Sequence, residues 1–161
     1  MSAATPGTSA GQKAAMDRMY RLTRHVYDVT RKPYLLGRDR MISSLEVPPG
    51  GSVLEMGCGT GRNLVATGRR HPGAHLHGFD ISGEMLKTAR RNVERSGLDI
   101  RLAEGDACVF NPETAFSIAR FDRVYFSYTL SMIPDWTAAL AHGLTLVKDG
   151  GRLSVVDFGF C

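Results

Sequence analysis

From Ser52 onward, short apolar runs alternate with segments of helix length, and this rhythm restricts the possible folds more than any other feature of the chain. SVLEM reads as a strand, Thr60 to Arg70 as a helix, and AHLHGFD as a second strand. ISGEMLKTARRNVERSG follows as a helix with Ser82 as its cap, because a serine hydroxyl can accept from the unpaired N–H groups of a first turn. DIRLAEGD, FDRVYFSYTL and GRLSVVDFG supply three further strands, with DWTAALAHGLTLVKDGG a helix between the last two. Strands separated by helices imply βαβ crossovers and a parallel sheet covered on both faces. The predicted class is α/β, a doubly wound and mostly parallel sheet, whose ligand would sit outside the carboxyl ends of the strands. With 161 residues, 43% of them hydrophobic, the chain has material for one such core and too little for two.

The segment ahead of the sheet has a different character. Residues 1–12 are small and polar without periodicity and read as a disordered tail. From Lys13 the pattern changes: Met16, Met19, Tyr20, Thr23, Val26, Tyr27 and Thr30 recur at helical spacing, with Arg18, Arg21 and Arg24 mostly elsewhere on the wheel. Pro33 ends or bends that amphipathic helix, and YLLGRDRMISSL reads as a second, shorter one before the PPGG turn at Pro48 to Gly51. Residues 13–47 are thus expected to form an N-terminal helical lid on a ligand-binding domain spanning 48–161. The net charge of +4 belongs to this end, since residues 1–40 hold eight Lys/Arg against three Asp and the remainder holds twelve against thirteen. A basic stripe interleaved with aromatics is missing from the sheet region, which argues against nucleic acid as partner. No run reaches the roughly 20 apolar residues of a membrane span, and the N-terminus lacks the apolar core of a secretory signal. A cytoplasmic protein is expected, with a peripheral position on the inner membrane face through the basic helix. Cys58, Cys108 and Cys161 show no C-x-x-C spacing, and His71, His75 and His77 have no carboxylate spaced to complete a metal site, so no metal is expected. Met85, Met132 and Trp136 read as core or cleft wall.

The loop VLEMGCGTGRNLV, Val53 to Val65, carries the chemistry. Glycines allow backbone N–H groups to approach a ligand closely. The third glycine, Gly61, comes one place too early for a dinucleotide fingerprint, and no Gly-Lys-Ser/Thr follows as a phosphate-binding loop needs. What stands here is Glu55-x-Gly57-x-Gly59-x-Gly61, an acid ending strand one before alternating glycines. This resembles the nucleotide loop of the class I S-adenosylmethionine-dependent methyltransferases. Asp80 ends the second strand, where an acid can accept from both ribose hydroxyls, and Asp106 follows the third. Taken singly, either acid reads equally well as a cap of a helix or turn; together, after successive strands, they point to a nucleoside site. The resemblance implies S-adenosyl-L-methionine as cofactor, with Glu55, Gly57, Gly59, Gly61, Asp80, Ile81, Asp106, the Ala107 N–H and Ser127 binding it.

The acceptor is read from FSYTLSMI at the end of strand four. It lacks the Asn/Asp-Pro-Pro-aromatic pattern of enzymes that methylate base or glutamine amino groups, which leaves a small-molecule or lipid acceptor. HVYDVTRKPYLLGRDRMI, His25 to Ile42, and YFSYTLSMIPDW, Tyr125 to Trp136, resemble the bacterial diacylglyceryl-homoserine N-methyltransferases of betaine-lipid synthesis. That likeness implies transfer to a lipid head-group amine, with Tyr34, Gly37 and Arg38 folding over the cofactor's methionine end and Tyr128 orienting the amine. The alternatives are a phosphatidylethanolamine or quinone-type methyltransferase, or a cofactor-binding subunit without activity of its own. The resembling enzymes end their sheet with an antiparallel pair after strand five. Those two strands are expected to be missing here, which would leave an edge open to a homo-oligomeric partner.

Overall fold

The computed structural model describes residues 35–158 together with Gly11, Lys13 and Ala14. The amphipathic helix expected from about Lys13 lies outside these residues apart from Lys13 and Ala14, as do Tyr34 and Cys161. The second expected helix is present as α1, Leu35–Ser43. The strands are β1 Ser52–Met56, β2 His75–Asp80, β3 Ile100–Glu104, β4 Phe121–Ser127 and β5 Val147–Val156. Between them run α2 Arg62–Arg70, α3 Gly83–Ser96, α4 Pro112–Phe116 and α5 Trp136–Thr145. The strand order is β3-β2-β1-β4-β5, every neighbouring pair parallel. The order reverses between β1 and β4, and this crevice is where a doubly wound sheet binds ligand. This is a Rossmann-like sheet of five strands with helices on both faces.

Two cores sandwich the sheet. Strand residues alternate between faces, so Val53 and Tyr125 pack with Met41, Ile42, Leu64 and Leu86 of α1, α2 and α3. Leu54, Met56, Val124 and Phe126 point the other way, onto Phe110, Phe116 and Ala139 around α4 and α5. Phe79 and Phe110 stack there with centroids 4.0 Å apart. Each such side chain contributes about 1.5–3 kcal/mol by leaving water. His77 is buried beside Phe116 and Phe121, and burial is the main reason its imidazole titrates below the usual histidine range.

Where elements differ from expectation, local geometry explains it. Helix α2 starts at Arg62 rather than Thr60, because Gly61 caps it with φ 74. Ser82 caps α3 as expected, its hydroxyl accepting from the Met85 N–H at 3.3 Å. The last helix stops at Thr145, and Val147 pairs with Phe121 ahead of a register shift in β5. Helix α4 has five residues, too few for a helical period to register, and its signal is the Asn111-Pro112 start, where Asn111 caps Glu113 and Thr114. Strand β4 ends at Ser127 because Tyr128 adopts φ 52. Trp136, expected in the core or cleft wall, is 51% exposed on the first turn of α5.

Helix α1 is fixed to the amino-terminal edge of the sheet. The Arg123 guanidinium donates to the Leu45 and Glu46 carbonyls, and Arg152 donates to the Ser44 carbonyl at 3.0 Å and to Glu46 Oε2 at 2.8 Å. His71 Nε2 meets the Ile42 carbonyl at 2.8 Å. Its other end reaches the carboxyl edge, where the site lies.

Candidate active site

The glycine loop leaves β1 at the crevice and is held from both sides. The N–H groups of Gly57 and Cys58 donate to the Phe79 carbonyl, each at 2.9 Å, and Asn92 of α3 donates to the Thr60 carbonyl at 2.9 Å. Gly57 has φ 74, and a Cβ there would lie 2.6 Å from Thr129 Oγ1, so both backbone conformation and space require glycine. At Gly59 a Cβ would meet only Met85 Cε, at 3.5 Å. The middle of the loop is therefore the part that a ligand can approach.

Asp80 is 6% exposed, and its carboxylate ties the loop to the next helix: Oδ2 accepts from the Gly59 N–H at 2.8 Å and Oδ1 from the Ser82 N–H at 2.9 Å. Ile81 lies in the short link between these two. Asp106 shapes the turn after β3, its Oδ1 accepting from the Cys108 N–H at 2.8 Å while Ala107 is buried beside it. Burial, with Asp106 adjacent, pushes the Cys108 thiol up to about 11, so it is an unreactive neighbour.

Glu55 lies beneath the loop, fully buried. Asn63 Nδ2 is 2.8 Å from its Oε1, and the Tyr125 hydroxyl is 3.2 Å from its Oε2. Burial pushes its carboxyl up to about 8, against the pull of the Asn63 and Tyr125 hydrogen bonds and, more weakly, of the Arg38 guanidinium of α1. Arg38 also pairs with Asp39 at 2.6 Å. Gly37 of the same helix packs so closely on Tyr128 that a Cβ would fall 2.7 Å from the tyrosine hydroxyl. Tyr128 is fixed by its N–H to the Val156 carbonyl at 2.8 Å, and its ring lies 4.9 Å from that of Phe158. Ser127 follows Tyr125 by two residues on the α1 face, and its buried hydroxyl has no partner among the described residues.

The expected residues from Gly37 to Tyr128 thus gather at one edge of the sheet, except Tyr34, which lies outside the described residues. Their chemistry fits a nucleoside with a charged amino-acid tail: a loop whose backbone is approachable at Gly59, acids after β2 and β3, a buried Ser127 hydroxyl without a partner among the described residues, and a guanidinium on α1. Sequence reading missed Asn63, Tyr125 and Thr67 around Glu55, Thr129 against Gly57, and Asp157. The last accepts from both the N–H and the hydroxyl of Ser131 and so anchors the turn after β4. Among the described residues no cluster of His, Cys, Asp or Glu could hold a metal, and no helix is long and apolar enough to cross a membrane.

Residues 53–151 match the family model described as methyltransferase domain. The chain belongs to the methyltransferase domain family. Its fold is that of the class I S-adenosylmethionine-dependent methyltransferases expected from the glycine loop. The chain is 28% identical over 136 residues to the ubiquinone/menaquinone biosynthesis C-methyltransferase UbiE of Desulfotalea psychrophila, covering 81% of the chain and 53% of that protein. It is 33% identical over 106 residues to the demethylmenaquinone methyltransferase of Thermus thermophilus, covering 66% and 46%. The fold matches that of the methyltransferase from Thiobacillus denitrificans solved with S-adenosyl-L-homocysteine, with a TM-score of 0.61 and 19% identity over 74% of this chain and 47% of that one. The chain spans about half the length of the curated relatives it matches. These relatives are named as quinone methyltransferases and not as betaine-lipid enzymes, and so favour the quinone-type alternative over the betaine-lipid resemblance.

Proposed function

We propose that this methyltransferase moves the methyl group of S-adenosylmethionine to a ring carbon of a quinone-type acceptor. The donor half rests on one observation, the glycine loop held open at Gly59 by the buried Asp80 carboxylate. In this reading Asp80 and Ile81 bind the ribose, Asp106 and the Ala107 N–H read the adenine, and Ser127 and Arg38 take the amino-acid tail. The cofactor supplies a methyl on a sulfonium, whose leaving group departs neutral, so the protein needs no acid at that end; the ring carbon that gains the methyl loses its hydrogen as a proton to water reaching the cleft.

The names of the relatives support a quinone-type acceptor, and the Tyr128–Phe158 pair favours it over an aliphatic amine. Two aromatic rings at the carboxyl edge offer stacking surface to a planar ring, and the Tyr128 hydroxyl can hold a phenolic oxygen of the reduced acceptor. Placing the ring against the methyl is the main task, since near-attack positioning is worth roughly 7–11 kcal/mol. The test is transfer of labelled methyl from S-adenosylmethionine to a demethylated menaquinol, run beside a lipid amine. Transfer to the quinol supports the reading; transfer to the amine alone restores the lipid acceptor, and transfer to neither refutes both for this chain.

A further inference from the structure

The end of β5 is tied to the turn after β4 through the side chain of Asp157. Its Oδ2 accepts from the Ser131 N–H at 2.9 Å, and its Oδ1 accepts from the Ser131 hydroxyl at 2.7 Å and from the Phe158 N–H at 2.8 Å. One carboxylate thus joins two segments 26 residues apart in the chain. Two parts of the site lie within its reach. The Phe158 ring is 4.9 Å from that of Tyr128, and the Tyr128 N–H donates at 2.8 Å to the carbonyl of Val156, the residue ahead of Asp157. The clamped turn also carries Thr129, whose carbonyl accepts from the Met132 N–H at 3.0 Å and whose Oγ1 would stand 2.6 Å from a Cβ on Gly57. Residues 128–132 therefore meet the aromatic pair at one end and the glycine loop beside it.

We propose that Asp157 is a positioning residue, whose clamp on Ser131 and Phe158 sets the Tyr128 and Phe158 rings against the glycine loop and so fixes the acceptor relative to the donor methyl. What those rings hold rests on the proposed function; what holds the rings rests on the hydrogen bonds alone.

Tyr128 needs such a clamp. Its φ of 52 lies in the left-handed region, which is disfavoured for a side chain as large as tyrosine. Released, the backbone would relax toward negative φ and carry the ring away from Phe158. The bond to Val156 secures only the amide side of Tyr128; its carbonyl side runs into the turn that Asp157 ties to β5 through Ser131. Two bonds to one residue fix orientation as well as distance, and a carboxylate makes each about twice as strong as a neutral acceptor would. Asparagine cannot reproduce the set. With its amide oxygen on the Ser131 N–H, its NH2 can donate to the hydroxyl but meets the Phe158 N–H donor to donor. The glycine loop has ties of its own, to the Phe79 carbonyl and to Asp80, so the cofactor contacts do not depend on Asp157.

The experiment compares wild type, Asp157→Ala, Asp157→Asn and Ser131→Ala. Amide hydrogen exchange, read by NMR, needs no ligand. The Tyr128 N–H bonds to Val156 and not to Asp157, so its exchange reports whether the clamp holds the tyrosine. It should quicken at least about tenfold in Asp157→Ala and less in the other two variants, with Val124 to Phe126 unchanged. Should Asp157→Ala not fold, Asp157→Asn and Ser131→Ala carry the same comparison. Faster exchange at Ser131 and Phe158 with Tyr128 still protected, or equal acceleration at Val124 to Phe126, would overturn the proposal. Methyl transfer to a demethylated menaquinol at saturating S-adenosylmethionine gives the second readout. Asp157→Ala should lose about tenfold to a hundredfold in kcat, as a displacement approaching 1 Å does. Its Kd for S-adenosylmethionine by calorimetry should stay within about threefold of wild type, a change of about 0.7 kcal/mol, and Asp157→Asn should recover part of the lost kcat. A wild-type kcat in Asp157→Ala, or a defect confined to cofactor affinity, would also overturn it. A wild type that transfers nothing to the quinol refutes the proposed acceptor instead, and the exchange result then decides this inference.

Discussion

Asp80→Ala separates two tasks that one carboxylate performs. In the structure both oxygens are engaged with backbone, at 2.8 Å to Gly59 and 2.9 Å to Ser82, and the residue is 6% exposed. Removing it leaves two N–H groups without their acceptor, at about 1–3 kcal/mol each. Water can enter the space left by the side chain, so the lower half of the range applies and about 2–4 kcal/mol of stability is lost. That is a large share of the 5–15 kcal/mol typical of a domain. Loss of a charged acceptor for two ribose hydroxyls adds about 2 kcal/mol to cofactor binding, close to 30-fold in Kd. Asp80→Asn keeps the shape but offers one acceptor oxygen in place of two, so its stability should fall between wild type and alanine. Urea denaturation and calorimetry with S-adenosylmethionine read the two effects separately. Wild-type stability in Asp80→Ala would refute the loop-holding role, and unchanged affinity would remove Asp80 from the ligand site.

Gly57→Ala should cost about 2 kcal/mol or more in thermal denaturation, because its positive φ penalises a Cβ by about 1–2 kcal/mol and Thr129 Oγ1 would lie 2.6 Å away. Adding Thr129→Ala should recover part of the loss but not the backbone share. Gly37→Ala should destabilise by about 1 kcal/mol through the Tyr128 hydroxyl at 2.7 Å, and a double-mutant cycle with Tyr128→Phe should show coupling, with the remainder due to Val156 at 3.0 Å. Glutamate at Arg18, Arg21 and Arg24 together should reduce sedimentation with anionic liposomes at low salt, since each basic residue near such a surface gains about 1 kcal/mol and screening weakens this over about 8–10 Å. Equal sedimentation of wild type and variant would remove these arginines from membrane contact.

The strand-and-helix rhythm made the sheet legible because each βαβ unit is a local pattern with a fixed handedness. Strand edges and helix starts were less so. Gly61, Ser82 and Asn111 mark starts through a single residue each, whereas the left-handed Tyr128 has no sequence signal: tyrosine seldom takes φ 52, and only its tie to the Val156 carbonyl and its packing keep it there.

The acids after β2 and β3 could be located from their positions behind strands, but what they touch could not. Asp80 reads as a ribose acceptor in sequence, and in the fold it first satisfies two backbone amides of the site itself. Glu55 makes the same point more sharply. Its partner Tyr125 is 70 residues away and stands opposite it only because β4 pairs with β1 in a parallel register that aligns the two residues. Asn63 reaches that carboxyl from α2, and Thr67, four residues on and one turn along the same face, reaches the Tyr125 hydroxyl instead. A motif reading treats Glu55 as a loop acid poised for ligand. Strand order and helix phase turn it instead into a fully buried carboxyl that accepts from Asn63 and Tyr125, and it is burial, not the loop, that pushes its titration up.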